Sequence, residues 1–430
     1  MKKAFISILI IFLLILESFP LKLFENKMIS LADEEDRVIE TITSDDEEAL
    51  RDAIQIVNKI GGIIYIDTPV INISSITSII LNGYSSGGII GVKQENGQYP
   101  RIDFKDRREK MLDFSYVLSG FYIDGSHKYI KNLIIENSNN HGIEIRYNFN
   151  TIDHVITRYN AGSGIYINGS SNTFNYCYSY RNCNKKLNEE SSDGFFFSKY
   201  NADFNYCFSW DNLGNGFYMH VLTKIGLKHS ASWNNGNIDV FTGKYDYDLG
   251  KPLDKNIITV QDLINSDENF EYNYNKKNFT IHNGIINGVD ANEWISRANS
   301  KMDSDGFSFS TDSLTQEVNI SYNLAFDNKY IGFNDMYSQV CPSNVIKCVS
   351  FNNKINYHLT YKFKKWEDNW SFNPIQTDKI DTNGVIKKPS NIKSSQKAFY
   401  SIRDLIIKAV EDNTFPDNIN FDKFINNLVE

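Results

Sequence analysis

The sequence predicts an all-β solenoid: a right-handed single-stranded parallel β-helix with an N-terminal capping helix and a helical C-terminal tail. Three observations predict it. Short alternating apolar runs fill about three hundred residues, two series of such runs interleave at a fixed order, and a helical period shows only near the two ends. The chain has 430 residues, and at this length an elongated repeat grows without enlarging its core. Its 53 acidic against 44 basic residues give a net charge of −9, which disfavours nucleic acid as a partner. With 41% hydrophobic and 23% charged residues, intrinsic disorder is excluded.

The elements follow in order. Lys2 and Lys3 precede an apolar stretch from Ala4 to Leu16, short for a spanning helix, so residues 1–20 read as a secretory signal or an uncleaved anchor. This predicts a secreted or cell-surface protein. Residues 21–44 read as a leader. Over 45–62 an Asp45 or Asp46 cap, an apolar face of Leu50, Ala53, Ile54 and Val57, and a Gly61-Gly62 stop predict a helix that covers the first coil. Five cysteines (Cys177, Cys183, Cys207, Cys341 and Cys348) lack paired CxxC spacing, so zinc is not expected and one thiol at least has no intrachain partner.

Residues 63–365 carry the repeat. One series runs Gly142-Ile-Glu-Ile, Gly164-Ile-Tyr-Ile, Gly194-Phe-Phe-Phe, Gly216-Phe-Tyr-Met, Gly306-Phe-Ser-Phe and Gly332-Phe-Asn, with steps of 22, 30 and 22 positions up to Gly216. The second includes Phe174-Asn-Tyr-Cys-Tyr-Ser-Tyr-Arg-Asn182 and Phe204-Asn-Tyr-Cys-Phe-Ser-Trp-Asp-Asn212. A propeller blade needs about 40 residues, which these steps do not allow. Stacked coils turn each position into a column, so Phe174 is expected on Phe204. Cys177, Cys207 and Cys348 are expected to stack inside the coil, as are Tyr180, Trp210, Trp233 and Phe351. Asn182, Asn212, Asn235 and Asn353 fall at a turn that suits left-handed backbone and bonding between copies. About a dozen parallel coils are expected, then a linker over 366–393 and a helical tail over 394–430 that packs on the rod or caps its end.

Residues from about Ile42 to Phe363 resemble the pectate lyases of polysaccharide lyase family nine. The opening helix with its Gly-Gly end, Ser119-Gly-Phe-Tyr-Ile-Asp-Gly, Ser192-Asp193-Gly194-Phe195, the turn Cys207–Asn212 and Asp305-Gly306-Phe307 carry the resemblance. It implies cleavage of an acidic, uronic-acid polysaccharide such as pectate by calcium-assisted β-elimination, in a secreted monomer. A hard cation bridging the uronate carboxylate stabilises the carbanion, and a partly desolvated amine takes the proton. The resemblance puts a calcium ligand at Asp193 and further ligands at Gly214-Asn215-Gly216-Phe217-Tyr218, where only Asn215 offers an oxygen. It puts the base at Ser308, whose hydroxyl is no base without a partner.

Other groups are candidates in their place. Lys199, six positions beyond Asp193, shares its face if the strand runs unbroken, and Lys224, Arg297 and Lys301 are further amines or guanidines. Glu189, Glu190, Asp211, Asp303, Asp305 and Asp335 are candidates for a displaced ion site, while His141, His154, His220 and His229 lack metal-ligand spacing. Tyr166, Phe196 and Tyr218 alternate with core positions and are expected to line one outer face as a sugar platform. Two functions besides the lyase fit these residues: a family relative that binds polysaccharide without cleaving it, and a structural cell-surface β-helix.

Overall fold

The computed structural model describes residues 37–106, 118–160, 162–182, 193–220, 224–236, 304–310, 317–335, 344–360, 363–380, 385–416 and 419–426, and short strand pairs between 245 and 290. Two parallel ladders build a β-helix, a larger one of 18 strands and a smaller one of ten. A typical coil gives Asn172–Tyr180 to the larger and Phe195–Phe197 to the smaller. Among the described residues the larger ladder stacks eleven levels and the smaller one ten, where about a dozen were expected. The first strand, Val38–Ile42, lies in the stretch read as a leader and pairs with Gly62–Ile66. Strands Lys365–Glu367, Trp370–Phe372 and Lys379–Ile380 extend the coil into the stretch read as a linker.

Helix α1 (Glu47–Ile60) starts where Asp46 accepts the Ala49 N–H at 2.9 Å and ends at Gly61, whose φ of 77° suits glycine. It buries Leu50, Ala53, Ile54 and Val57 against the first coil, as its apolar spacing predicts.

Inside the coil, rings stack at rung spacing. Phe174 lies 4.8 Å from Phe204, and Phe195, Phe217, Phe307, Phe333 and Tyr357 follow one another at 4.6 to 5.2 Å. Opposite them run serines, and these explain why runs of the first series begin with glycine. A Cβ at Gly194 or Gly216 would come within 1.9 Å of the Ser209 or Ser232 hydroxyl. Cys177 and Cys207 are buried neighbours with free thiols, and burial pushes the Cys177 thiol up. Cys348 is buried farther along the rod, with Ser230 and Asn323 on the rungs between: the Cys207 N–H donates to Ser230 Oγ (3.2 Å) and the Ser230 N–H to Asn323 Oδ1 (2.9 Å). Cys183 and Cys341 lie outside the described residues.

Tyr180, Trp210, Trp233 and Phe351 do form one column, with Phe326 between the last two, but it faces out of the coil. The reason is backbone geometry. Tyr176 and Tyr206 hold left-handed φ angles of 50° and 53°, which bends each long strand and resets the alternation. Phe174, Cys177 and Ser179 then point inward, and Tyr178 and Tyr180 outward. This outer stripe is covered by the chain itself. Helices α2 (Ile392–Glu411) and α3 (Phe421–Asn426) lay Phe399, Ile406, Val410 and Phe421 along it, so the tail packs on the flank of the rod.

The turn after this stripe holds an asparagine ladder. The backbone N–H groups of Asn160, Asn182, Asn212, Asn235 and Asn328 donate to the Oδ1 of Asn182, Asn212, Asn235, Asn328 and Asn353, at 2.9 to 3.3 Å. The left-handed residue is the one before each: Arg181, Asp211, Asn234 and Asn352 have φ of 53° to 57°. One further expectation fails. Phe217–His220 pairs directly with Phe307–Ser310, and the described residues between them form three short antiparallel pairs, the first joining Tyr245–Asp246 to Lys251–Pro252.

Candidate functional site

The smaller sheet carries the candidate site on its outer side. Its register sets Tyr122, Glu144, Tyr166, Phe196, Tyr218, Ser308, Asn334 and His358 in one outward column. Tyr166, Phe196 and Tyr218 are thus brought together as expected. Their rings stack on one another at 4.7 and 5.3 Å, and His141 closes the other end of the stack against Tyr166 at 4.4 Å. The faces that a sugar would need are therefore largely covered by neighbouring rings, and the stripe presents mainly edges. Ser308 follows Tyr218 on the next rung and is buried.

Beside this column the residue before each glycine forms a second ladder. The N–H of Ser163 donates to His141 Nδ1 (3.1 Å), that of Asp193 to Ser163 Oγ (3.3 Å), and that of Asn215 to Asp193 Oδ1 (2.6 Å). The N–H of Asp305 then donates to Asn215 Oδ1 (2.8 Å), and that of Ile331 to Asp305 Oδ1 (3.1 Å). Asp193 and Asn215 are neighbours, as the repeat predicts. His141 and Ser163 belong to the same ladder and were missed, although every Gly-Ile or Gly-Phe run involved offers the signal: a polar acceptor just before the glycine. Burial holds His141 far down, at about 3, with the Arg146 charge adding to it, so the imidazole is neutral and keeps its acceptor nitrogen for Ser163.

The donor set decides whether calcium fits. Asn215 gives its Oδ1 to the Asp305 N–H, which turns its Nδ2 onto Asp193 Oδ1 at 3.0 Å. A cation at Asp193 would meet an amide NH₂ where it needs an oxygen, whereas calcium takes six to eight oxygens. The pair of Asp193 and Asn215 does not fit calcium. The other carboxylates are occupied too. Asp305 Oδ2 accepts Asn334 Nδ2 (2.6 Å), Asp335 accepts the Thr360 N–H (2.8 Å), and Asp211 accepts Asn234 Nδ2 (2.5 Å) and faces Arg181 at 3.5 Å. Among the described residues no three His, Cys, Asp or Glu groups converge to hold a metal.

Lys199 is not tied to Asp193 by one unbroken strand. Its strand ends at Phe197 and the chain bends at Lys199 and Tyr200, so the unbroken alternation that would align the two is absent. Lys224 lies exposed at the start of a strand in the larger sheet, paired with Glu317. Glu189, Glu190, Arg297, Lys301 and Asp303 lie outside the described residues.

Comparison with known proteins agrees with this architecture. The family model described as Pel9A-like, right handed beta helix region matches residues 32–248. The crystal structure of pectate lyase Pel9A is similar in fold, with a TM-score of 0.54 and 18% identity over 84% of this chain and 82% of that one. No curated protein matches the sequence. The parallel ladders, the glycine-led rungs and a family match spanning half the chain agree, and the chain belongs to the Pel9A-like right-handed β-helix family.

Proposed function

We propose that this is an exported β-helix that binds an acidic polysaccharide along the flank of its smaller sheet, without cleaving it by calcium-assisted elimination. The family places the chain among pectate lyase-like proteins, and an acidic polymer is the ligand class that follows from that kinship. One observation carries the second half of the reading: the Asn215 amide is turned so that Asp193 meets its NH₂ and not its oxygen. Ser308 adds to it, since a hydroxyl one rung beyond Tyr218 supplies no amine base. A polymer lying along the rod meets a new rung about every 4.8 Å. On this flank it would touch the edges of Tyr166, Phe196 and Tyr218, while Lys199 beyond the strand end offers a cation to a uronate carboxylate.

The test is retention on a pectate affinity gel together with the ultraviolet absorbance of unsaturated products, each with and without chelator. Retention without new absorbance, indifferent to chelator, is the expected result. Absorbance that grows with time and vanishes with chelator would overturn the reading and restore the lyase.

A further inference from the structure

A second surface, away from Asp193, has the chemistry of a sugar site. It lies on the turn that leaves the smaller sheet at Ile145. Tyr147 and Phe149 are 38% and 55% exposed there, in a fold whose other large aromatics are mostly stacked or buried. Phe149 lies flat against His127 at 5.5 Å with planes 10° apart, and the next rung brings Ser171 rather than another ring. Tyr147 stands between Gly125 and Gly169, if the register of the flanking strands is continued, so no side chain of its own column covers it.

Polar groups are held at fixed positions beside these rings. Arg146 gives Nε and Nη2 to Glu144 Oε1 at 2.9 and 2.8 Å, and Ser119 Oγ fixes the other Glu144 oxygen at 2.6 Å. The guanidinium lies over the Tyr122 ring at 5.3 Å and remains half exposed. Asp124, also exposed, is its neighbour one rung back. Arg146 is thus matched by buried Glu144, and Asp124 leaves the patch with one excess negative charge. That balance disfavours a uronate and suits an uncharged sugar, whose vicinal hydroxyls accept from a guanidinium and donate to a carboxylate while its C–H face lies on an aromatic ring.

We propose that Tyr147, Phe149, Asp124 and Arg146 form a binding site for a neutral hexose unit, at the edge of the acidic-polymer flank and distinct from it in the sugar it takes. The full chain is titrated by NMR or calorimetry with three neutral trisaccharides, β-1,4-linked galactose, glucose and mannose, and with trigalacturonate. At least one neutral trisaccharide binds, and Asp124→Asn and Phe149→Asn each weaken it about tenfold. Phe149→Asn keeps a residue that tolerates the local φ of 60°, so loss of binding does not reflect loss of the turn. Failure of all three neutral sugars to bind, wild-type affinity in both variants, or preferential binding of trigalacturonate at these residues would each overturn the site. Trigalacturonate binding untouched by these substitutions, with no neutral sugar bound, would do so while leaving the acidic-polymer reading intact.

Discussion

Two of the aromatic stripes on the outside of this rod have opposite fates. On the larger sheet Tyr180, Trp210, Trp233, Phe326, Phe351 and Phe372 stack at 4.5 to 5.6 Å under the chain's own tail. On the smaller sheet Tyr166, Phe196 and Tyr218 stack as closely, yet the column gives way to Ser308, Asn334 and His358, and Tyr166 and Tyr218 stay partly exposed. Rung spacing explains the stacking in both. What differs is the cover, so an outward aromatic column is by itself no evidence of a ligand site.

The sharpest way to break this comparison is to empty one rung of each stripe. Trp210→Ala removes a buried ring held between Tyr180 and Trp233 and is expected to cost about 3–5 kcal/mol. Tyr218→Ala, on a partly exposed ring, should cost about 1–2 kcal/mol. Urea unfolding of both variants measures the gap, and equal losses would mean that both stripes are equally part of the core.

Each stripe is bordered by a ladder of side chains that accept a neighbouring coil's N–H, the preceding coil's in the asparagine ladder and the following coil's in the mixed one. The asparagine ladder is uniform and buried. Asn212→Ala strands the Asn182 N–H, bonded at 3.1 Å, leaves the Asn182 NH₂ with Ser179 Oγ alone, and should cost about 2–3 kcal/mol by the same measurement. The mixed ladder contains His141, and its charge state gives the next effect. The unfolded imidazole takes a proton near pH 6.5, whereas the folded one resists protonation down to about 3. The folded form therefore binds fewer protons in that window, and its stability is complete above the window and falls as the pH drops through it. His141→Asn, which keeps an acceptor, should remove about 2 kcal/mol of the stability lost between pH 7 and pH 5. Parallel pH profiles of the variant and the wild type would count against a neutral, buried imidazole.

Much of this was legible in the sequence, and what was not has physical causes. The glycine-led runs and the Phe-Asn-Tyr-Cys runs are columns because identical residues fall on identical rungs, which a period alone reveals. Which side of the strand is inside does not follow from period, because a single left-handed residue at Tyr176 or Tyr206 reverses the alternation without a glycine to announce it. That is why Tyr180 and Trp210 were expected inside. Asn160 was missed because Arg158 stands where the other copies have an aromatic, whereas Asn328 follows Phe326 just as Asn353 follows Phe351 and was legible on the same pattern. At the candidate site the sequence revealed that Asp193 and Asn215 are neighbours. It could not reveal which way the amide of Asn215 points, since that is fixed by the Asp305 N–H from a rung ninety residues farther along the chain.

The smallest expected effect bears most directly on that point. In Asp193→Asn the new Oδ1 can accept the Asn215 N–H as the carboxylate does, and Asn215 itself shows that an amide serves on this ladder, since it accepts from Asp305. The Asn215 NH₂ donates to that same Asp193 Oδ1, so an amide oxygen in its place keeps both bonds and only the charge is lost. The stability change should stay within about 1 kcal/mol. A carboxylate needed for a cation behaves otherwise: calcium would raise the melting temperature of the wild type by mass action, and the substitution would abolish that rise. Melting curves of both proteins in calcium and in chelator should superimpose for each protein. A calcium-dependent rise lost in Asp193→Asn would mean that the amide of Asn215 turns over to present its oxygen. The mixed ladder would then be a metal site that the asparagine ladder is not.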